Sequence, residues 1–308
     1  MKQAFIHPSI KKRYFAIDDP GSFFAEDADS RIKRFTKWSI KLASQAIGTA
    51  LEEARLSTDD LSALVVNTCT GYICPGISTY LVERLGLRRN VRVYDLVGSG
   101  CGGAIPNIEV AESLLEMNPD GVIGSISVEV CSATFQMGDD LSLLVSNALF
   151  GDGAAAALLW KRRHGLELIA SSSHYVPEDR EAIRFIHKGG QLQNQLWTSL
   201  PHLVKKAVSR VVDDLLRSAS LNMEDIGHWA LHTGGEKIIN TIRDELGLNE
   251  TQIGPTRKIL SEYGNMSSPT VLFVLEDILR DGVQPGEWCM MLAFGAGLSA
   301  HGYLLRQS

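Results

Sequence analysis

The stretch Val91-Arg-Val-Tyr-Asp-Leu-Val-Gly-Ser-Gly-Cys-Gly-Gly-Ala-Ile-Pro106 decides how the chain is read. It runs from a β-type segment through a glycine-rich corner into the start of a helix, with Cys101 at the corner. The free N–H groups and dipole of a new helix favour thiolate over thiol, so a cysteine placed there is expected to be a stronger nucleophile. Gly98, Gly100, Gly102 and Gly103 let the backbone turn sharply and let a substrate come close. Taken alone, the stretch also fits a buried cysteine beside an ordinary strand-to-helix turn.

Outward from this corner the chain alternates strand and helix. Apolar spacing predicts helices over residues 39–56, 77–85 and 101–117, the last beginning at the thiol. Apolar β-runs are expected at 61–68, 91–97 and 121–128. The first of these leads into Cys69-Thr-Gly-Tyr-Ile-Cys-Pro-Gly76. Phe150-Gly-Asp-Gly-Ala-Ala-Ala-Ala-Leu-Leu159 reads as a glycine turn feeding a strand, and Lys161-Arg-Arg-His-Gly165 as a charged hinge. Beyond the hinge the alternation resumes, with strands at 166–171, 228–232, 288–294 and 300–306 and helices at 197–218, 236–246 and 269–281. Residues 1–36 read as polar and irregular. The pattern implies sheets covered by helices, in two halves, residues 1–164 and 165–308, with no visible sequence repeat between them.

The 308 residues are 44% hydrophobic and 21% charged, with a net charge of -6, which fits a soluble globular chain and argues against nucleic acid as a partner. No apolar run reaches membrane-spanning length, and the N-terminal residues do not read as a secretory signal. Five scattered cysteines suit a reducing cytoplasm better than a disulfide framework, and Cys69 and Cys74 stand too far from histidines to suggest a metal.

Two further turns match the first in kind. Trp229-Ala-Leu-His-Thr-Gly-Gly235 places His232 at a strand end before two glycines, and Ser261-Glu-Tyr-Gly-Asn-Met-Ser-Ser-Pro269 places Asn265 in a turn before a helix. Singly, each could be ordinary turn or core chemistry. A thiol, an imidazole and an amide together are the parts needed for acyl transfer.

In this order the three motifs resemble the type III polyketide synthases, the chalcone-synthase-like branch of the thiolase superfamily. The resemblance rests on Gly100-Cys-Gly-Gly-Ala-Ile-Pro106, Ala148-Leu-Phe-Gly-Asp-Gly-Ala-Ala-Ala156, Leu260-Ser-Glu-Tyr-Gly-Asn-Met-Ser-Ser268 and Ala293-Phe-Gly-Ala-Gly-Leu298, and covers the chain from about Ile10 onward. It implies a thiolase-like α/β fold of two pseudo-duplicated halves in an α-β-α-β-α arrangement. It also implies decarboxylative condensation of malonyl-CoA onto an acyl-CoA starter, giving a pyrone, resorcinol or similar product without metal or cofactor. By the same resemblance Cys101 holds the acyl group, and His232 and Asn265 bond the malonyl thioester carbonyl. His232 is further expected to help hold Cys101 as thiolate. Phe150 and Asn194 match the gatekeeper positions, with the small Asn194 expected to widen the passage. Cys131, Thr134, Ser267, Cys69 and Thr70 match the cavity lining, and Cys74 a residue that reaches into the neighbour's site in a homodimer.

The chain departs from the family pattern in three ways. Thr233 replaces the proline after the histidine. The chain begins just before Ile10-Lys-Lys-Arg-Tyr14, so the family's first strand and basic helix have no counterpart. The third departure concerns the cationic contacts to CoA, where Gln3 and His7 occupy the matching positions and Lys11, Lys12, Arg13 or Lys237 are expected to compensate. The rival readings are an initiating ketoacyl-ACP synthase and a truncated, non-catalytic thiolase-like subunit.

Overall fold

The computed structural model describes residues 6–21, 23–161 and 165–308. Gln3 and residues 162–164 of the charged hinge lie outside them. The helices are α1 (Ala28–Ala54), α2 (Ile77–Arg84), α3 (Ala104–Met117), α4 (Leu141–Leu149), α5 (Leu200–Ala219), α6 (Glu236–Leu246), α7 (Gly254–Tyr263) and α8 (Thr270–Asp281). The strands are β1 (Leu61–Asn67), β2 (Arg92–Leu96), β3 (Val122–Glu129), β4 (Gly153–Leu159), β5 (Leu166–Tyr175), β6 (Ile183–Lys188), β7 (Gln191–Leu196), β8 (Ile226–Leu231), β9 (Trp288–Gly295) and β10 (Ser299–Gln307).

Two four-stranded sheets form the frame, in the orders β2-β1-β3-β4 and β5-β10-β9-β8. In the first, β1 runs parallel to β2 and β3, and β4 is antiparallel to β3. In the second, β8 and β9 are parallel, and β10 is antiparallel to β9 and to β5. The central strands β1 and β3 are buried almost throughout, and helix cover on both faces explains why they read as apolar runs rather than alternating ones.

Five layers result. α1 lies on the outer face of the first sheet and α5 on the outer face of the second. Between the sheets, α3 and α8 share one apolar core in which Val65, Ile105, Val271 and Met291 pack. The thiolase-like α/β reading is therefore what the chain folds into.

Five features went unread in the sequence, or were misread. α1 begins at Ala28, inside the stretch taken as irregular, because Asp27 caps it by accepting from Ser30 N at 2.8 Å. α4, α7 and the β6–β7 hairpin were not expected. The hairpin turns at Gly189 and Gly190, both at positive φ, a conformation glycine adopts without strain. The helix expected to begin at the thiol begins at Ala104, because residues 100–102 form a separate 3₁₀ turn.

Leu64 on β1 is fully buried. Leu64→Ala is expected to lower stability by about 2–5 kcal/mol, through lost burial and the cavity left behind, measured as a shift of the urea midpoint.

Candidate active site

Strand ends converge on one place, outside the carboxyl edges of the parallel strands, as α/β sheets usually arrange their sites. β2 leads to Cys101, β1 to residues 67–70, β3 to Glu129 and Cys131, and β8 to His232. The Asn265 loop arrives between α7 and α8.

The Cys101 turn is clamped by the second half of the chain. A Cβ on Gly295 would lie 2.1 Å from Ser99 O and 2.5 Å from Gly102 N, so only glycine allows β9 to close against the turn. Gly100 itself sits at φ +56°, with Ala296 packed where a side chain would go.

Around the sulfur the contacts are specific. Ser267 Oγ lies 3.3 Å from Cys101 Sγ and 3.3 Å from Cys69 Sγ. Ser267 is in the left-handed conformation, and its N–H donates to Asn265 Oδ1 at 2.7 Å. That bond fixes the Asn265 amide and leaves its NH₂ as the remaining donor. Asn265 is also bridged to Phe150, with Gly151 N donating to Asn265 O at 2.9 Å and Asn265 N to Leu149 O at 3.0 Å.

Glu129 is fully buried and ties three segments together. Its Oε2 accepts from Cys69 N at 2.9 Å, Thr70 N at 3.1 Å, Thr70 Oγ1 at 2.8 Å and Thr68 Oγ1 at 3.1 Å. Its Oε1 accepts from Ser268 Oγ at 2.6 Å. Burial raises its pKa, and these donors oppose the rise. Sequence reasoning missed Glu129. The available signal was a lone carboxylate closing an otherwise apolar strand. Asp152 was missed in the same way, and it accepts from Ala16 N, Ser132 N and Ser132 Oγ at 2.6–2.7 Å, fixing the N-terminal segment to the site wall.

Eight of the expected residues line one chamber: Cys69, Thr70, Cys101, Cys131, Thr134, Phe150, Asn194 and Ser267. Its volume is about 20 Å³, room for roughly one water. The chamber is small despite the short Asn194 side chain, because Ile183, Arg184 and Phe185 of β6 also line it. An adjoining pocket of about 650 Å³ shares Cys69, Thr70, Gly100, Arg184, Phe185 and Ala296.

His232 is fully buried against Phe294, ring centroids 5.0 Å apart, and neither ring nitrogen has a hydrogen-bond partner among the described residues. Burial lowers its pKa to about 3. Burial likewise pushes the Cys101 thiol up to about 12, Ser267 acting against this and the Glu129 charge with it. No hydrogen bond joins His232 to Cys101 among the described residues. Burial shifts both groups toward their neutral forms.

The expected CoA contacts divide. Arg13 points inward, donating to Asn147 O at 2.6 Å and Phe150 O at 2.8 Å, so it holds the end of α4 rather than reaching outward for a phosphate. Lys11 and Lys12 are exposed and pair with Glu262. Lys237 is exposed in the first turn of α6, and Cys74 is exposed away from the chamber. Among the described residues, no cluster of three or more His, Cys, Asp or Glu side chains could hold a metal, and no helix is long and apolar enough to cross a membrane.

Residues 19–169 match the family described as FAE1/Type III polyketide synthase-like protein, and residues 167–308 match chalcone and stilbene synthases, C-terminal domain. The chain is 32% identical over 274 residues to a 1,3,6,8-tetrahydroxynaphthalene synthase of Streptomyces peucetius subsp. caesius, covering 87% of this chain and 73% of that one. It is 29% identical over 311 residues to a 3,5-dihydroxyphenylacetyl-CoA synthase of Streptomyces toyocaensis, covering 96% and 80%. The crystal structure of PKS-I from the brown alga Ectocarpus siliculosus has a similar fold, with a TM-score of 0.91 at 29% identity over 97% of this chain and 86% of that one. Fold and matches together define a thiolase-like condensing acyltransferase. Within that class, the chain belongs to the type III polyketide synthases. This assignment favours the polyketide synthase reading over the ketoacyl-ACP synthase alternative.

Burial, which holds the Cys101 thiol above its ordinary value, sets the pH dependence of alkylation. Iodoacetamide capture at Cys101, read by peptide mass, should keep rising about tenfold per pH unit from roughly pH 6 to 9, where a free thiol levels off near about 8.5. A flat rate around neutral pH would instead reveal a thiolate–imidazolium pair.

Proposed function

We propose that Cys101 carries the acyl intermediate of this polyketide synthase, and that His232 and Asn265 polarise the malonyl thioester. The supporting observation is the convergence of the Cys101 turn and the Asn265–Ser267 loop, two segments more than 160 residues apart, at 3.3 Å.

The cycle starts with the Cys101 sulfur attacking the starter acyl-CoA. The C–S bond to CoA breaks, and the thiol proton leaves with CoA as its thiol. The neutral His232 imidazole can accept this proton in transit. Malonyl-CoA then loses CO₂, and the electron pair of the broken C–C bond becomes an enolate. Donors from His232 and the Asn265 amide stabilise the charge growing on the thioester oxygen. A neutral imidazole carries one N–H, which suits a donor role, and low exposure strengthens each bond to the developing charge. The enolate carbon attacks the Cys101 thioester, the C–S bond breaks, and the extended chain departs on CoA. The Cys101 thiolate so freed is reloaded by the extended chain, CoA leaving and taking up a proton as its thiol, for each further extension, and cyclisation to a pyrone, resorcinol or related ring follows.

Phe150 is fixed beside Asn265 through the backbone bridge, which supports a gating role between chamber and substrate entry. Asn194, Cys131, Thr134, Cys69, Thr70 and Ser267 contribute further wall, beside Ile183, Arg184 and Phe185. Lys11, Lys12 and Lys237 are the candidate CoA contacts, and Arg13 serves instead as a positioning residue.

The working unit in this reading is a homodimer. Tyr72, Tyr80, Tyr94 and Val97 are large apolar side chains exposed around β2, the same region as Cys74. An apolar surface of this kind is suited to a second copy. Tyr94→Lys is expected to shift the protein toward monomer in sedimentation analysis, while a persistent dimer would place the interface elsewhere.

Incubation with malonyl-CoA and a panel of acyl-CoA starters, with products read by mass spectrometry, tests the chemistry. Cys101→Ala should abolish polyketide formation. His232→Ala and Asn265→Ala should each lower it by about 10²–10³-fold, the range for losing one oxyanion donor. Undiminished output from Cys101→Ala rules the assignment out.

A further inference from the structure

His301 lies on β10, fully buried, and has no part in the cycle of acyl transfer. Its imidazole sits between two serines. Ser173 Oγ, on the paired strand β5, lies 2.7 Å from Nδ1, and Ser299 Oγ lies 2.9 Å from Nε2. Ser299 has a single hydroxyl proton and donates it to Ala296 O at 2.9 Å. Its oxygen is then an acceptor toward the ring, so Nε2 carries the imidazole proton. Nδ1 is left as an acceptor and takes the hydroxyl proton of Ser173. The three bonds therefore run in one direction, from Ser173 through His301 and Ser299 to the Ala296 carbonyl. Burial lowers the His301 pKa to about 4, in keeping with a ring that accepts at Nδ1.

This relay meets the nucleophile turn on both sides of Cys101. Ala296 packs against Gly100, where an added Cβ would lie 3.0 Å from Ala296 N and 3.1 Å from its Cβ. Beyond the thiol, a Cβ on Gly102 would lie 3.0 Å from His301 Cδ2. The residue before the nucleophile is thus backed by the turn that the relay holds, and the residue after it by the His301 ring itself.

Ala296 sits in the turn between β9 and β10 with glycine on either side, Gly295 and Gly297. A backbone of that kind has little stiffness of its own, so the bond from Ser299 to Ala296 O decides where the turn rests. Tyr175 stands edge-on to the imidazole, centroids 5.5 Å apart, and limits its rotation.

We propose that His301 is a positioning residue for the nucleophile. Through Ser299 and Ala296 on one side, and against Gly102 on the other, it aims the Cys101 sulfur and so sets the rate of acyl loading. It acts through the backbone and not on the reacting atoms. This role rests on the reading of Cys101 as the acyl carrier.

The test separates loading from decarboxylation. Loading is timed by intact-protein mass after mixing with acetyl-, hexanoyl- or benzoyl-CoA. Decarboxylation of malonyl-CoA to acetyl-CoA, the step given to His232 and Asn265, is followed alongside. His301→Leu keeps an apolar filling and loses both bonds. It should slow loading by about 10–100-fold and leave decarboxylation near the wild-type rate. Ser299→Ala, a smaller change that cuts the relay without altering the ring, should slow loading in the same direction. The double variant should be no slower than His301→Leu alone, as for residues acting through one path. His301→Gln, whose amide can donate from near the place of Nε2, should restore loading. His301→Asn, which reaches only as far as Nδ1, should not. Equal losses of loading and decarboxylation would make His301 a packing residue and overturn the proposal. Wild-type loading in His301→Leu or Ser299→Ala overturns it as well. A wild-type chain that acquires no acyl mass on Cys101 from any of the three thioesters overturns instead the reading beneath it, and the proposal with it.

Discussion

The buried carboxylate of Glu129 is the tie on which the rest of the site depends. It sits at the end of β3, in the first sheet, and accepts from the loop after β1 and from Ser268 of the loop before α8. An uncompensated buried carboxylate is costly, and satisfying one from several sides makes each donor's position conditional on the others. Ser267 and Asn265 are placed by their neighbour's bond to Glu129, and Cys101 is then met by Ser267. A second tie works in parallel. Asp152 holds the N-terminal segment and the Ser132 turn together, Arg34 bonds the same serine, and Glu26 pairs with Arg34. The chamber is thus walled by segments fixed through buried charge rather than by apolar packing alone.

The electrostatics follow from the same burial. A cysteine just before a helix is ordinarily expected to be acidified. Here the turn is a separate 3₁₀ segment, and burial of the sulfur, with the Glu129 carboxylate acting on it, raises its pKa. The imidazole of His232, against Phe294, is pushed toward its neutral form as well.

Much of the fold was legible because its signals are local. The glycine corner at Cys101, the apolar runs of β1 and β3 and the turns at His232 and Asn265 lie within short windows. The unread parts have physical reasons. α4, with the sequence Leu-Ser-Leu-Leu-Val-Ser-Asn-Ala-Leu, is apolar around much of its circumference and gives a weak helical period. β6 and β7 mix polar and apolar residues, although Lys188-Gly-Gly-Gln191 was a readable hairpin turn. Asp27 was a readable cap for α1. Glu129 was not readable as a hub, since its donors lie about 60 and 140 residues away in the chain. Arg13, in a basic run that looked solvated, turned inward because three carbonyl and carboxylate groups it could not reveal in sequence lie behind it.

Gly295 against Ser99 has a consequence for how the enzyme comes into being. The brace behind Cys101 is drawn from residues 293–301, nearly 200 residues after the thiol itself in the chain. On a ribosome the first sheet can form long before β9 and β10 emerge. Until they do, the Cys101 turn lacks the backbone wall that fixes its direction. The nucleophile's turn is therefore completed only after a segment nearly 200 residues downstream has been made, and until then that thiol is unplaced.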